Sequence, residues 1–489
     1  TNELTGIEHV TTAQLETSGL RIITTISRPM EVALYRAVNY NVNQMRLNGG
    51  PLPSYALIGA ELQNPRNGAI VAMYPGRGQN MSPAQCNKYH CDENTAVYAR
   101  EQVGSSFKPY VLATAVNEGM NVKTSILNAY SPLWVPPDSN PMMLSARSQA
   151  QAMSSSYKVN NDAGSSLGPQ SVQNAFAQSS NTAYTDLAHR VTTQSVINMA
   201  ANMGVNMASY PNGSGLQSYL GKVGIALGIA PLTINEQATM LSTIDNGGTY
   251  HSAHLIQSYQ APDGPVTPGT VTQHMVLTKA QDSQVQYAMQ TVTTNGTGTA
   301  AAMSDGRPII AKTGTTNTAQ SAFFIGAIPQ YVLSVGIFTE SQSTKTTETL
   351  NGLGGTASGG FGGYWPARIW NTFAEAEFAQ LPQEQFQTPV FTGAKWNQVG
   401  NLPSPKPKPK PTKQQSKGGT PTPTPTGHGH GHGGGPSQSP SPTPSFTLPT
   451  GLPTPSVSST SPTATPSGGG HGKGGGKGGG GGKSPSPGG

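Results

Sequence analysis

Cysteine is nearly absent from this 489-residue chain, and so is any long apolar run. Cys86 and Cys91 stand alone, with no second pair to complete a four-ligand zinc site, even though His90 lies between them. A local disulfide closing a surface loop suits an exported protein; two unrelated free thiols are the alternative. No run of roughly 18 apolar residues exists, and no charged-then-apolar signal opens the sequence, so no membrane span is read from it. Residue 1 is a threonine rather than an initiator methionine, so the expectation is a processed or excised extracytoplasmic piece, with any membrane anchor upstream.

Acid is also missing, but only from one end. From residue 401 onward the chain has eight lysines and no Asp or Glu, among Pro, Ser, Thr, Gly and His. Such a composition cannot bury enough apolar surface to offset its ordering entropy. Residues 391–489 are therefore expected to be a disordered tail, with the compositional change plainest at about Leu402. The whole-chain charge is +6, which leaves about −2 once those lysines are set aside. The basic character belongs to the tail, whereas nucleic-acid enzymes carry it on the folded module, so no nucleic-acid partner is expected. The Lys-Pro alternation at 406–411 reads as an extended spacer, solvated or drawn to an anionic polymer. His428, His430 and His432 sit in a Gly-His repeat with no acid or cysteine nearby, so no metal site is read there, and no cofactor is implied elsewhere.

The other ~400 residues suffice for one large domain. Leu20–Ile26 is a β-branched run that predicts a strand, and Glu31–Met45 has helical spacing. Ala56–Leu62 and Ala69–Tyr74 flank Asn64-Pro65-Arg66-Asn67-Gly68, predicting a hairpin at the start of a central antiparallel sheet. Further helices are expected from Ser105 to Glu118, across Pro169–Arg190 and 222–247, at Gln281–Thr294 and at about Pro366–Gln380. Pro308–Thr313 predicts a strand, and Phe323–Gly326 with Tyr331–Thr339 a second hairpin. Helices placed around an antiparallel sheet give an α+β fold. Residues 136–168 carry little signal.

Three short motifs run in order along this framework. In Ser105-Ser106-Phe107-Lys108 the two polar ends lie three residues apart on one helical face, so the amine reaches the hydroxyl. A serine needs a base to become a nucleophile, and a buried lysine beside a second cation loses its proton. Lys312 is a candidate for that second cation. Ser155-Ser156-Tyr157-Lys158 repeats the spacing, but Asn160, Asn161 and Asp162 follow it and no apolar helix backs it. Ser179-Ser180-Asn181 lies between apolar helical flanks, with Ser179 suited to relaying a proton and Asn181 to binding a substrate amide. In Lys312-Thr313-Gly314 the lysine, Thr313 and Thr315 suit a carboxylate, and Gly314 admits a close backbone. The N–H groups of Ser105 and Thr315 are the expected oxyanion hole.

The ordered trio, with Gly104–Tyr110 and Lys312–Asn317 around it, resembles the transpeptidase domain of class A (bifunctional) penicillin-binding proteins. Asn64–Met73, Ala226-Leu227-Gly228, Asp245–Gly248 and Asn295–Gly298 extend the resemblance over about residues 20–380. Val103 and Ala311 stand where the family usually has proline and glycine. The resemblance implies a serine D,D-transpeptidase that cross-links peptidoglycan stem peptides and is acylated by β-lactams. It implies no cofactor, partners limited to D-Ala-D-Ala donors, amine acceptors and β-lactams, and a place on the cell-wall side. It also implies a linker at residues 1–20 from an upstream domain, a catalytic domain at 21–390, and a tail whose lysines suit anionic wall polymers. A D,D-carboxypeptidase and a β-lactam sensor or scaffold are the alternatives. A serine β-lactamase needs a deacylating glutamate, and no Glu occurs between Asp162 and Gly221.

Overall fold

The structure, a computed structural model, describes residues 2–53, 56–76, 94–135, 157–207, 215–339 and 348–399. Cys86, Cys91, Ser155 and the histidine and lysine tail lie outside the described residues. The principal elements, in chain order, are α1 (Arg28–Gly49), β1 (Ala56–Gln63), β2 (Ile70–Tyr74), α2 (Lys108–Asn117) and α3 (Asn181–Val191). They continue with α4 (Ile234–Asp245), α5 (Lys279–Met289), β3 (Ile310–Thr315), β4 (Ser321–Ile328), β5 (Tyr331–Thr339) and α6 (Trp365–Glu377).

The five strands form one antiparallel sheet in the order β3-β4-β5-β1-β2. Both hairpins expected from the sequence are present, and the return of the chain places β5 beside β1. Every residue of β1 and β4 is buried, because helices cover both faces. On one face Gly326 is pressed against Trp370 of α6, beside α1. On the other, Gly59 and Gly336 meet Ile234 of α4, with α2 and α5 in the layer behind. The fold is thus α+β, with a central antiparallel sheet between helical layers. β3 is an edge strand, so one side of Ile310–Thr315 is left for something other than a sheet neighbour.

Three expected segments take the following form. The Arg21–Thr24 strand exists, but all four residues are exposed and it pairs with Ile256–Gln260 in a separate small sheet. A β-branched run predicts extended chain, not which sheet it joins. The segment at 1–20, expected as a linker, holds two short helices, and the Glu3 carboxylate accepts from the N–H groups of Leu255 and Ile256 at 2.7 and 2.9 Å. The tail boundary at 391 falls too early: Ala394 bridges Met120, Asn397 bridges Ile126, and Trp396 N–H donates to Ser125 Oγ at 2.8 Å. Isolated bridges of this kind leave no periodicity to read.

Candidate active site

Ser105 lies in a 3₁₀ turn, Gly104–Phe107, that runs directly into α2. Pro109 occupies the first turn of α2, where its missing N–H is no loss. Residues three apart eclipse in a 3₁₀ turn, so Lys108 Nζ comes to 2.9 Å from Ser105 Oγ. The turn is pressed onto the edge of β3. A Cβ on Gly314 would stand 2.3 Å from Val103 O and 2.9 Å from Ser106 Oγ, and one on Gly104 would stand 2.3 Å from Thr315 O. Only glycine permits that contact. The close backbone expected of a substrate at Gly314 is supplied by the protein's own serine turn.

Ser179-Ser180-Asn181 forms the joint between the helix Val172–Ala177 and α3. Ser180 caps α3, its hydroxyl accepting from Ala183 N–H at 3.2 Å. Ser179 has φ +53°, a left-handed conformation that costs a non-glycine residue energy and turns its side chain between the two lysines.

The three motifs converge on Lys108. Its amine is fully buried and lies 2.6 Å from Ser179 O, 2.8 Å from Asn181 Oδ1, 2.9 Å from Ser105 Oγ and 3.2 Å from Ser179 Oγ. Lys312, also fully buried, donates to Ser179 Oγ at 2.8 Å and to Thr313 O at 3.0 Å. Aromatic faces back both amines, Tyr184 at 6.0 Å from Lys108 and Phe176 at 5.6 Å from Lys312. Burial, and then the neighbouring Lys312 charge, hold the Lys108 amine well below the usual lysine range. Burial pushes Lys312 down to about 7, against a smaller upward pull from Asp162.

A neutral amine has two N–H donors and one lone pair. Ser179 O and Asn181 Oδ1 are the two short acceptors, which leaves the lone pair for the Ser105 hydroxyl proton. The arrangement fits Lys108 as a base with Ser105 as the group it deprotonates. Thr313 and Thr315, the threonines expected to bind a carboxylate, make the following contacts within the protein. Thr313 Oγ1 lies 2.6 Å from Thr297 Oγ1, and Thr315 Oγ1 accepts from Gly362 N–H at 3.1 Å.

Sequence reasoning gave no site role to Thr297, to Gly362 or, above all, to Asn160, Asn161 and Asp162. The Asn181 amide donates to Asn160 O and to Asp162 Oδ1, both at 3.2 Å, while Asn161 accepts from Ser180 Oγ and Thr182 N–H. Three consecutive Asx residues were the available signal, a tight polar turn rather than a solvated stretch. With its nitrogen held there, Asn181 turns its oxygen to Lys108 instead of waiting free for a substrate amide.

Residues 58–351 match the family described as the penicillin-binding protein transpeptidase domain. The chain belongs to that family. Penicillin-binding protein 1A of Mycobacterium tuberculosis is 25% identical over 410 residues, covering 80% of this chain and 44% of its own length. The protein of that name from Vibrio cholerae is 23% identical over 364 residues, covering 67% and 40%. This chain spans less than half the length of either relative. Among solved structures, the PonA1 protein from Mycobacterium tuberculosis in complex with penicillin V superposes with a TM-score of 0.64 at 24% identity, covering 80% of this chain and 96% of that one. The likeness of fold includes the antiparallel sheet and its flanking helices.

Proposed function

We propose that the domain is a serine D,D-transpeptidase of peptidoglycan and that β-lactams acylate it at Ser105. The observation that carries this reading is the convergence of Ser105, Ser179 and Asn181 on one buried, proton-poor lysine. Family membership and relatives named as penicillin-binding proteins support it.

In the first half-reaction Ser105 Oγ attacks the carbonyl carbon of the penultimate D-Ala, and its proton passes to Lys108 Nζ. The carbonyl oxygen becomes an oxyanion, held by the N–H groups of Ser105 and Thr315. As the C–N bond breaks, the proton moves through the Ser179 hydroxyl, which touches both lysines, to the departing nitrogen, and D-Ala leaves as an amine. In the second, the amine of a neighbouring stem peptide attacks the ester, gives its proton to Lys108 through the same relay, and Ser105 Oγ takes a proton back as it leaves. Lys312, Thr313 and Thr315 grip the terminal carboxylate, a task that needs Lys312 protonated. The chemistry is complete with side chains and backbone amides alone.

Residues 21–399 are the segment we assign to this catalysis, on the extracytoplasmic side where peptidoglycan is built. Labelling with fluorescent penicillin, read by intact mass over hours, tests the assignment. A stable adduct on the wild type that is absent from Ser105→Ala supports an acyl-enzyme with a slow hydrolytic exit. Rapid loss of the adduct would reassign the domain as a hydrolase. An equal adduct on Ser105→Ala would remove the nucleophile.

A further inference from the structure

We propose that Asp162 is a positioning residue of this site, its carboxylate fixing the Asn181 amide in register with Lys108 and setting the negative charge that both lysines face. The inference rests on the serine mechanism above and deepens it.

The geometry begins with Asn161. Its buried amide donates to Ala129 O and Ser165 O, both at 3.1 Å, and its oxygen accepts from Ser180 Oγ at 3.1 Å and Thr182 N–H at 3.0 Å. Behind it, the strands Leu133–Val135 and Tyr157–Val159 pair antiparallel, with Leu133, Val135 and Val159 packed on Val223. One buried asparagine therefore clamps the exit of this ribbon to the residues on either side of Asn181. The next residue along is Asp162, whose backbone this clamp places beside Asn181 while its side chain stays exposed. It accepts from Asn181 Nδ2 at 3.2 Å, and Asn181 Oδ1 accepts from Lys108 at 2.8 Å. An amide turned end for end would aim its nitrogen at the Lys108 amine and its oxygen at two acceptors.

The charge works in the same direction. Lys108 comes from α2, Lys312 from β3 and Asp162 from the turn after the ribbon, while α3 contributes the neutral Tyr184 phenol, which burial keeps well above its usual range. Asp162 pulls both lysines upward, opposing their burial. Acylation needs Lys108 without its proton, which sets the acid limb of the rate profile. It needs Lys312 with its proton, which sets the alkaline limb. Removing the carboxylate lowers both lysines, so both limbs move toward acid.

Asp162→Asn keeps an oxygen for the Asn181 amide and removes only the charge; Asp162→Ala removes both. Acylation rates against pH, with penicillin as the probe, should show both limbs of Asp162→Asn shifted to lower pH by roughly one unit at a near-normal plateau. Asp162→Ala should show the same shift with a plateau lower by roughly tenfold, and Asp162→Glu should restore the limbs. Limbs that superimpose on the wild type, or a uniform loss with no shift, would overturn the proposal. If Asp162→Ala does not fold, Asp162→Asn decides alone. Carbon NMR of lysine Cε reads the same midpoints without chemistry. Midpoints that fall in a protein that never takes up penicillin would sink the serine mechanism and support the role of Asp162; unmoved midpoints would overturn that role.

Discussion

One rung of the central sheet carries a buried lysine at its edge and a buried glutamate three strands in. The register runs Lys312, Ile325, Ser334, Glu61 across β3, β4, β5 and β1, so both ionisable groups lie on the same face of the sheet, on the order of 14 Å apart. Burial acts on each against its charge. Lys312 is pushed down to about 7, and Glu61 is pushed up to about 7, with the Gln63 and Asn235 amides restraining it. Their surroundings differ in kind. Lys312 meets Ser179 Oγ, a group that donates and accepts and stands next to a second amine. Glu61 is closed in by Gln63 and Asn235 at 2.6 and 2.8 Å, through one oxygen only, and its Oε2 has no partner among the described residues. Equal burial thus leaves one ionisable group against a hydroxyl shared with a second amine at the sheet edge, and closes the other into a polar seam in its middle.

The pH dependences should differ in sign. For Glu61 the folded state holds its proton from the ordinary value of 4.5 up to about 7, while the unfolded chain has released it. Stability therefore falls as pH rises through that window and is level above it. For Lys312 the folded state is short of a proton between about 7 and the ordinary 10.5, so stability rises with pH there.

Breaking the lysine end has the largest expected effect. Lys108→Met keeps the volume and removes the base, so acylation by penicillin should fall by about 10²- to 10⁴-fold. The melting temperature should change little, because relief of a desolvated amine is offset by the acceptors Ser179 O and Asn181 Oδ1 that lose it. A loss of rate that merely tracks a loss of folded protein would refute the base role. Neutralising the other end comes next. Glu61→Gln should leave acylation within about twofold, yet remove the decline in unfolding free energy between pH 4.5 and about 7, worth about 3 kcal/mol. Urea titrations across that range would read it, and an unchanged slope would show that Glu61 is ionised throughout. Smallest is Arg66→Ala, at the turn between β1 and β2. Its pair with Glu384, 2.7 Å long, is exposed on both sides, so the change should cost about 0.5 kcal/mol or less in the same titrations. A larger cost would mean that the surface ion pair matters as much as the buried polar seam.

The reactive part of this rung was legible in the sequence because its geometry is local. Ser105 and Lys108 are three residues apart, and the strand ending in Lys312-Thr313-Gly314 carries its own apolar run. The first hairpin was readable from Asn64-Pro65-Arg66-Asn67-Gly68, which joins β1 to β2 as expected. Glu61 was not readable as polar seam, since a glutamate in a strand reads as solvent-facing until both faces are known to be covered. The Asn160–Asp162 turn was passed over for a related reason. Its partners lie about twenty residues on, at the N-terminal turn of α3, and three polar residues in a row give no sign of which distant helix end they meet. The packed stretch at 391–399 failed the same way, through bridges too isolated to leave a pattern.

Main chain rests directly on main chain where the serine turn meets β3 at Gly104 and Gly314. A seam of that kind has no side-chain torsions to adjust and no atoms to trim. The gap between Ser105 and the strand edge is therefore closed to fine adjustment by substitution, since any replacement of either glycine adds a carbon where none fits. The reach of Ser105 toward the strand edge is thus set by backbone, not by side chains that could be traded for larger or smaller ones.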